Sequence, residues 1–192
     1  MRITFPVAGA LLAATVFALA GCGQEEGQAN PGKVTDSQIT APQSTSTQEE
    51  SQLSEAKACD LLTKSEATNA IGKGLEKSDV EPVGGESSAC EWSTSIDSNV
   101  PIEKGITMAI SIRPEQSVHE VVVQGKAKVS DRDLAGRQAK LVEENSGAEG
   151  GCMMSFAAEN GRIDIIARSY NTQRSCTAVK DVATIIEPKL PE

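Results

Sequence analysis

The sequence predicts an α+β domain: an antiparallel sheet packed by helices and braced by two disulfides. Three observations predict it. Ile106, Met108, Ile110 and Ile112 alternate with Thr107, Ala109 and Ser111, the period of a half-buried strand. Asn160-Gly161, the preferred dipeptide of a two-residue hairpin turn, lies between two further alternating runs. Cys176, Val179, Ala183, Ile186 and Leu190 recur at spacings of three and four, as on the buried stripe of a closing helix.

Before the domain lie about 56 residues of different character. Met1-Arg2 supplies a positive charge, and residues 3–20 are apolar except for Thr4, Pro6, Gly9 and Thr15. A run of about 20 apolar residues is long enough to span a membrane. Leu19-Ala20-Gly21-Cys22 follows it, however, and this is the lipobox pattern at which a thiol receives diacylglycerol and the chain is cut before the cysteine. Residues 1–21 are therefore read as a lipoprotein signal peptide. Cys22 is the expected lipidation site, bearing acyl chains such as palmitate. Two or more acyl chains hold a protein stably on a membrane, where one holds it marginally. The expected location is the extracytoplasmic face of the cell membrane, in the cell envelope. Residues 22–56 are read as the lipidated cysteine followed by a disordered tether: they lack aromatics and repeat Ser, Thr, Gln and Glu, so they bury too little to offset their ordering entropy. As a flexible coil this tether would span roughly 30 Å. The globular domain is expected at 57–192.

Within the domain, Thr63 is a helix N-cap and Glu66 completes a capping box, with Leu62 stapled on Ala67 and Gly72 as the stop. Residues 73–89 read as a Gly- and Ser-rich loop, and 90–95 as a short strand. Pro114 ends the strand of alternating Ile and Met residues. Ser117-Val118-His119-Glu120 is a second capping box, expected to open a short helix toward Gln124. Residues 138–143 form a weaker strand. A turn centred on Asn160-Gly161 would pair Ala158 with Ile163, Phe156 with Ile165 and Met154 with Ala167 on an oily face. On the other face it would pair Glu159 with Arg162 and Ala157 with Asp164. A sheet covered on one side requires that division. The closing helix supplies the cover and is expected to end near Glu187, before Pro188.

Setting Cys22 aside leaves Cys59, Cys90, Cys152 and Cys176, an even number that reads as two disulfides in an oxidising compartment. Four cysteines permit three pairings. The hairpin register places Cys152 on the apolar face and Cys176 at the start of the covering helix, which favours Cys152–Cys176 and leaves Cys59–Cys90. A CxxC redox pair and closely spaced zinc-ligand pairs are both missing from the sequence.

Composition bounds the function. The chain has 18 basic and 27 acidic residues, net −9, and removal of Arg2 with the leader makes it −10. It has no basic cluster to neutralise phosphates, so no nucleic-acid partner is expected. After the leader its aromatics are only Trp92, Phe156 and Tyr170, too few for a stacking platform. One histidine, His119, cannot build a His metal cluster, and any Ser-His-Asp site would depend on it. Gly147-Ala148-Glu149-Gly150-Gly151 lacks the Lys-Ser/Thr of a phosphate loop and leads into a strand. No metal and no cofactor are expected.

Ala58-Cys59-Asp60-Leu61-Leu62-Thr63-Lys64-Ser65-Glu66-Ala67, Cys90-Glu91-Trp92, Gly136-Arg137-Gln138-Ala139, Cys152, and Cys176 with the closing Leu190-Pro191 together resemble actinobacterial lipoproteins of domain-of-unknown-function family 3558. The resemblance covers roughly residues 58–191. It implies an α/β/α sandwich with a likeness to PsbP-like folds, and it brings no catalytic residues. The functional expectation is a membrane-anchored, non-enzymatic binding or protein-interaction module. Its partner would be an envelope protein or a small apolar ligand, and Trp92 is the candidate ligand or interface residue. The alternative is an envelope hydrolase using His119 or carboxylates.

Overall fold

The computed structural model of the chain describes residues 52–145 and 149–190. The leader, Cys22 and all but the last few tether residues lie outside the described residues. Seven strands form one sheet: β1 (Leu75–Val80), β2 (Ser88–Thr94), β3 (Ile106–Pro114), β4 (Lys128–Leu134), β5 (Arg137–Glu143), β6 (Gly151–Ala158) and β7 (Gly161–Ser169). Their spatial order is β1-β2-β3-β7-β6-β5-β4, every neighbouring pair antiparallel. Among the described residues three α-helices accompany them: α1 (Gln52–Glu55), α2 (Lys64–Ala70) and α3 (Thr172–Ile186). The architecture is α+β. No helix among the described residues is long and apolar enough to cross a membrane.

The alternating strand residues account for the core. Trp92, Met108, Ile110, Ile112, Leu141, Met154, Phe156, Ile163 and Ile165 share one face of the sheet by register, and all are buried. Against them pack Cys176, Val179, Ala183 and Ile186 of α3, on the stripe expected from spacing, together with Val182, which the spacing did not include. Asn171 caps α3 by accepting from the Arg174 N–H at 3.0 Å. Regular helix ends at Ile186, and a 3-10 turn carries Pro188. The two disulfides join Cys59 to Cys90 and Cys152 to Cys176, the combination that the strand register favours.

On the opposite face the cover among the described residues is a loop. β3 lies third from one edge, and the next strand in the chain, β4, is the far edge. The connection must therefore cross β7, β6 and β5, and the helical layer occupies the other side. Residues 115–127 make this crossing as a strap. Its Val118 is buried, and the Ser117 carbonyl accepts from Arg162 Nη1 at 2.8 Å. The Ser117–Glu120 capping box forms as expected, but its helix is a single 3-10 turn, Val118–Glu120, and does not run to Gln124.

Several expectations need correction. Residues 75–80, read as loop, are the edge strand β1; only Leu75 of its six residues is buried, so no alternation marks it. The other edge, β4, was missed for the same reason. The tether was expected to end at residue 56, yet α1 lies within that span. Its Leu53 is fully buried in the core, and the Leu53 N–H donates to Glu159 Oε2 at 3.3 Å.

The hairpin turn sits one residue earlier than the Asn-Gly signal suggests. Ala158 pairs with Gly161, Phe156 with Ile163 and Met154 with Ile165, leaving Glu159-Asn160 as the loop. Glu159, not Gly161, carries the positive φ, 44°. The pairing differs by two residues, an even number, so every side chain keeps its expected face. Gly161 serves a different need: a Cβ there would collide with the Arg113 carbonyl oxygen and come within 2.8 Å of Leu53 Cδ2. Gly161→Ala should accordingly lower stability by about 1–3 kcal/mol through overpacking, read by chemical denaturation.

α2 begins as the sequence indicates. Thr63 accepts from the Glu66 N–H, and Glu66 Oε2 accepts from the Thr63 N–H at 2.9 Å. Glu66 also binds the chain's far end: Lys189 Nζ donates to Glu66 Oε2 at 2.8 Å and to the Leu61 carbonyl at 2.9 Å. Hydrogen bonding to Lys189, then to the Thr63 backbone, holds the Glu66 carboxyl at about 2, below its ordinary 4.5. A depressed carboxylate contributes stability above its unfolded value and loses it as pH falls through the folded one. The Glu66–Lys189 clasp should therefore weaken between about pH 4.5 and 2. Glu66→Gln keeps the capping box and removes the charge. It should cost about 0.5 kcal/mol at neutral pH, as exposed pairs do, and flatten the acid limb of a thermal-melt series.

Candidate functional site

The strap and the sheet enclose a cleft of about 400 Å³. Its floor comes from the sheet face opposite the helices: Arg113 of β3, Met153 of β6, and Arg162, Asp164, Ile166 and Arg168 of β7. Val121 and Val122 of the strap form its lip, with Val122 80% exposed. Over the middle of the sheet the helical side is filled instead by the buried core.

Charged residues are buried in this floor. Asp164 is 3% exposed and Arg162 5%. Asp164 Oδ2 accepts from Arg113 Nε at 2.8 Å, and Oδ1 accepts from Ser155 Oγ at 2.5 Å and from Arg162 Nε at 3.0 Å. The register explains the convergence: Asp164 lies beside Ser155 on β6, and Arg162 beside Arg113 on β3, all on one face. Arg113 reaches further, donating from Nη1 to the Gly84 carbonyl at 2.6 Å and from Nη2 to Glu86 Oε1 at 2.7 Å. One guanidinium thus ties the loop after β1 to the sheet centre. Buried charges carry a desolvation cost that pairing offsets only with good geometry, and here both carboxylate oxygens are paired. Arg168 shares this face and is exposed.

Sequence reasoning missed this cluster. The expected register set Asp164 opposite Ala157 and Arg162 opposite Glu159, which separates the acid from Ser155. A usable signal was present: Arg162 and Asp164 alternate with Ile163 and Ile165, so two charges share a face within a strand whose other face is core.

The residue singled out from sequence, Trp92, is elsewhere. It lies on the helical face of β2, 1% exposed, directly opposite Lys77 of β1. Lys77 Nζ stands 5.7 Å from the ring centroid. A recess of about 420 Å³ opens at this edge, lined by Lys64, Leu75, Glu76, Lys77 and Trp92. The indole Nε1 is buried and has no hydrogen-bond partner among the described residues. His119 is exposed on the strap and does not line the cleft. Glu120 beside it is held below the ordinary carboxylate range by the Ser117 backbone N–H. Among the described residues no three His, Cys, Asp or Glu side chains come together as metal ligands.

A seven-stranded antiparallel sheet with helices on one face, a loop strap on the other and two cystines defines the structural class. The chain belongs to the family of proteins of unknown function DUF3558, whose model matches residues 17–189. No curated protein and no solved structure matches it.

Proposed function

We propose that this chain is an extracytoplasmic lipoprotein of the actinobacterial kind, anchored by lipid on Cys22, whose domain is a non-enzymatic binding module of the cell envelope. The strap cleft is its ligand site, and the ligand is a small molecule with an apolar body. The observation that carries this reading is the buried Asp164–Arg162–Arg113 cluster under an open, valine-lipped strap. The lining is mostly polar, with Arg113, Arg162, Asp164 and Arg168 fixed beside an apolar patch of Met153, Ile166, Val121 and Val122, so placed polar groups can orient a ligand whose apolar part rests on that patch. The lipobox and the long polar tether support the anchor.

Native mass spectrometry of protein extracted from its own membrane tests the ligand. A bound mass is expected on the wild type and not on Ile166→Trp, whose indole would fill the cleft. Equal occupancy of both, or none on either, rejects the cleft. Globomycin, which blocks the lipoprotein signal peptidase, tests the anchor: precursor should accumulate, and an unchanged size rejects lipidation at Cys22.

A further inference from the structure

We infer that the ligand of the strap cleft is an anionic amphiphile, with a carboxylate or phosphate head held by Arg168 and an apolar chain lying on Ile166 and Met153 beside the strap valines. The inference rests on the reading of that cleft as a ligand site and adds the charge of what fills it. All but one of the charges lining the cleft are already answered. Arg113 and Arg162 share Asp164, and Arg113 also holds Glu86. The Glu120 carboxylate accepts from the Ser117 N–H and closes its own capping box. Arg168 lines the same cleft, is exposed, and makes no hydrogen bond or ion pair among the described residues.

The sheet register explains why Arg168 stands alone. Its cross-strand neighbours are Gly151 on β6 and Thr107 on β3, so neither adjoining strand sets a carboxylate beside it. Three of the chain's seven arginines line this one cleft, in a protein of net charge −9. An unpartnered guanidinium presents forked donors that bind carboxylate or phosphate oxygens two at a time. The apolar half of the site follows from the same strand. Ile166 is two residues from Arg168 on the same face, about 7 Å along β7. Met153 of β6 is its cross-strand partner, and Val121 and Val122 complete this patch from the strap. A ligand with an anionic end and a short chain meets both halves at once. A neutral one leaves Arg168 unanswered, and a cationic one is repelled by it.

The full chain, nitrogen-15 labelled and held in nonionic detergent, is titrated with octanoate, octyl phosphate, octanol and octyltrimethylammonium. The four probes share one chain and differ in the head. Saturable shifts of the Ile166, Arg168 and Val122 amides are expected with octanoate or octyl phosphate, and about tenfold weaker binding of the other two. Octanoate alone would mark a carboxylate site and octyl phosphate alone a phosphate site. Arg168→Gln, an exposed change, should bring the anions to the affinity of octanol, and Arg168→Lys should restore part of the difference. Lys180→Gln removes one positive charge from α3, on the other side of the sheet, and should change nothing. Octanol binding as tightly as both anions, undiminished anion binding to Arg168→Gln, or an equal loss in Lys180→Gln overturns the anionic head and leaves the cleft standing. Undiminished binding to Ile166→Trp, or no saturable shift with any probe, rejects the cleft and the inference together.

Discussion

Asp164→Asn should destabilise the domain by about 3–5 kcal/mol, the cost typical of removing one partner of a buried ion pair. The size follows from what remains. Arg162, 5% exposed, would keep its charge and its contact with the Ser117 carbonyl but lose its carboxylate. Arg113 would lose the same partner and hold only Glu86 and the Gly84 carbonyl. Chemical denaturation gives the magnitude. Hydrogen exchange gives the place: protection should fall in β7, in residues 115–127 and in the loop around Gly84, because the cluster joins these three. Replacing Asp164, Arg162, Arg113 and its partner Glu86 together with apolar residues should cost less than Asp164→Asn alone, since no orphaned charge is left. A quadruple variant less stable than the single one would show that packing, not charge, governs this face.

Cys152→Ser with Cys176→Ser should cost about 3 kcal/mol, from the loop-closure entropy of a bridge whose cysteines are 24 residues apart in sequence. That is a large part of the 5–15 kcal/mol typical of a domain, yet folding should survive. The reason is that α3 has a second attachment: Val179, Val182, Ala183 and Ile186 are fully buried on the sheet. Removing the cystine therefore loosens the N-terminal half of α3 rather than releasing the helix. Thermal melts of the double variant, and of wild type with and without reductant, measure this. Fluorescence from buried Trp92 should stay unshifted at temperatures below the melt. A loss under 1 kcal/mol would show that apolar packing alone positions α3.

How far the fold was legible depended on burial. β3 was readable because Ile106, Met108, Ile110 and Ile112 all face the core. β1 and β4 were unreadable because an edge strand with both faces in water has no residue pattern to satisfy; its pairing comes from a neighbour's backbone. Their charged side chains, such as Lys77, Asp79, Asp131 and Asp133, are the kind that discourage further strand addition at exposed edges. The capping boxes were readable because each is closed within four residues. The length of the helix opened by the Ser117–Glu120 capping box was not, because the strap's route over β6 and β7 decides it.

The same distinction governs the sites. Trp92 stood out by rarity, and its partner Lys77 could not be named without recognising β1 as a strand. The Arg113–Arg162–Asp164 cluster needs two strands, β3 and β7, in register across up to 51 residues of sequence. The Asn-Gly dipeptide pointed to the correct hairpin and the wrong turn, since Gly161 answers crowding from β3 and α1 rather than a backbone angle. Sequence alone determined which faces are apolar, where α2 starts and which cysteines are available, since these depend on interactions between near neighbours. Tertiary structure decided the edge strands, the register of the hairpin, the crossing strap and the charged floor beneath it. Each of these rests on contacts between distant segments, where sterics and backbone pairing carry no periodic trace in the residues themselves.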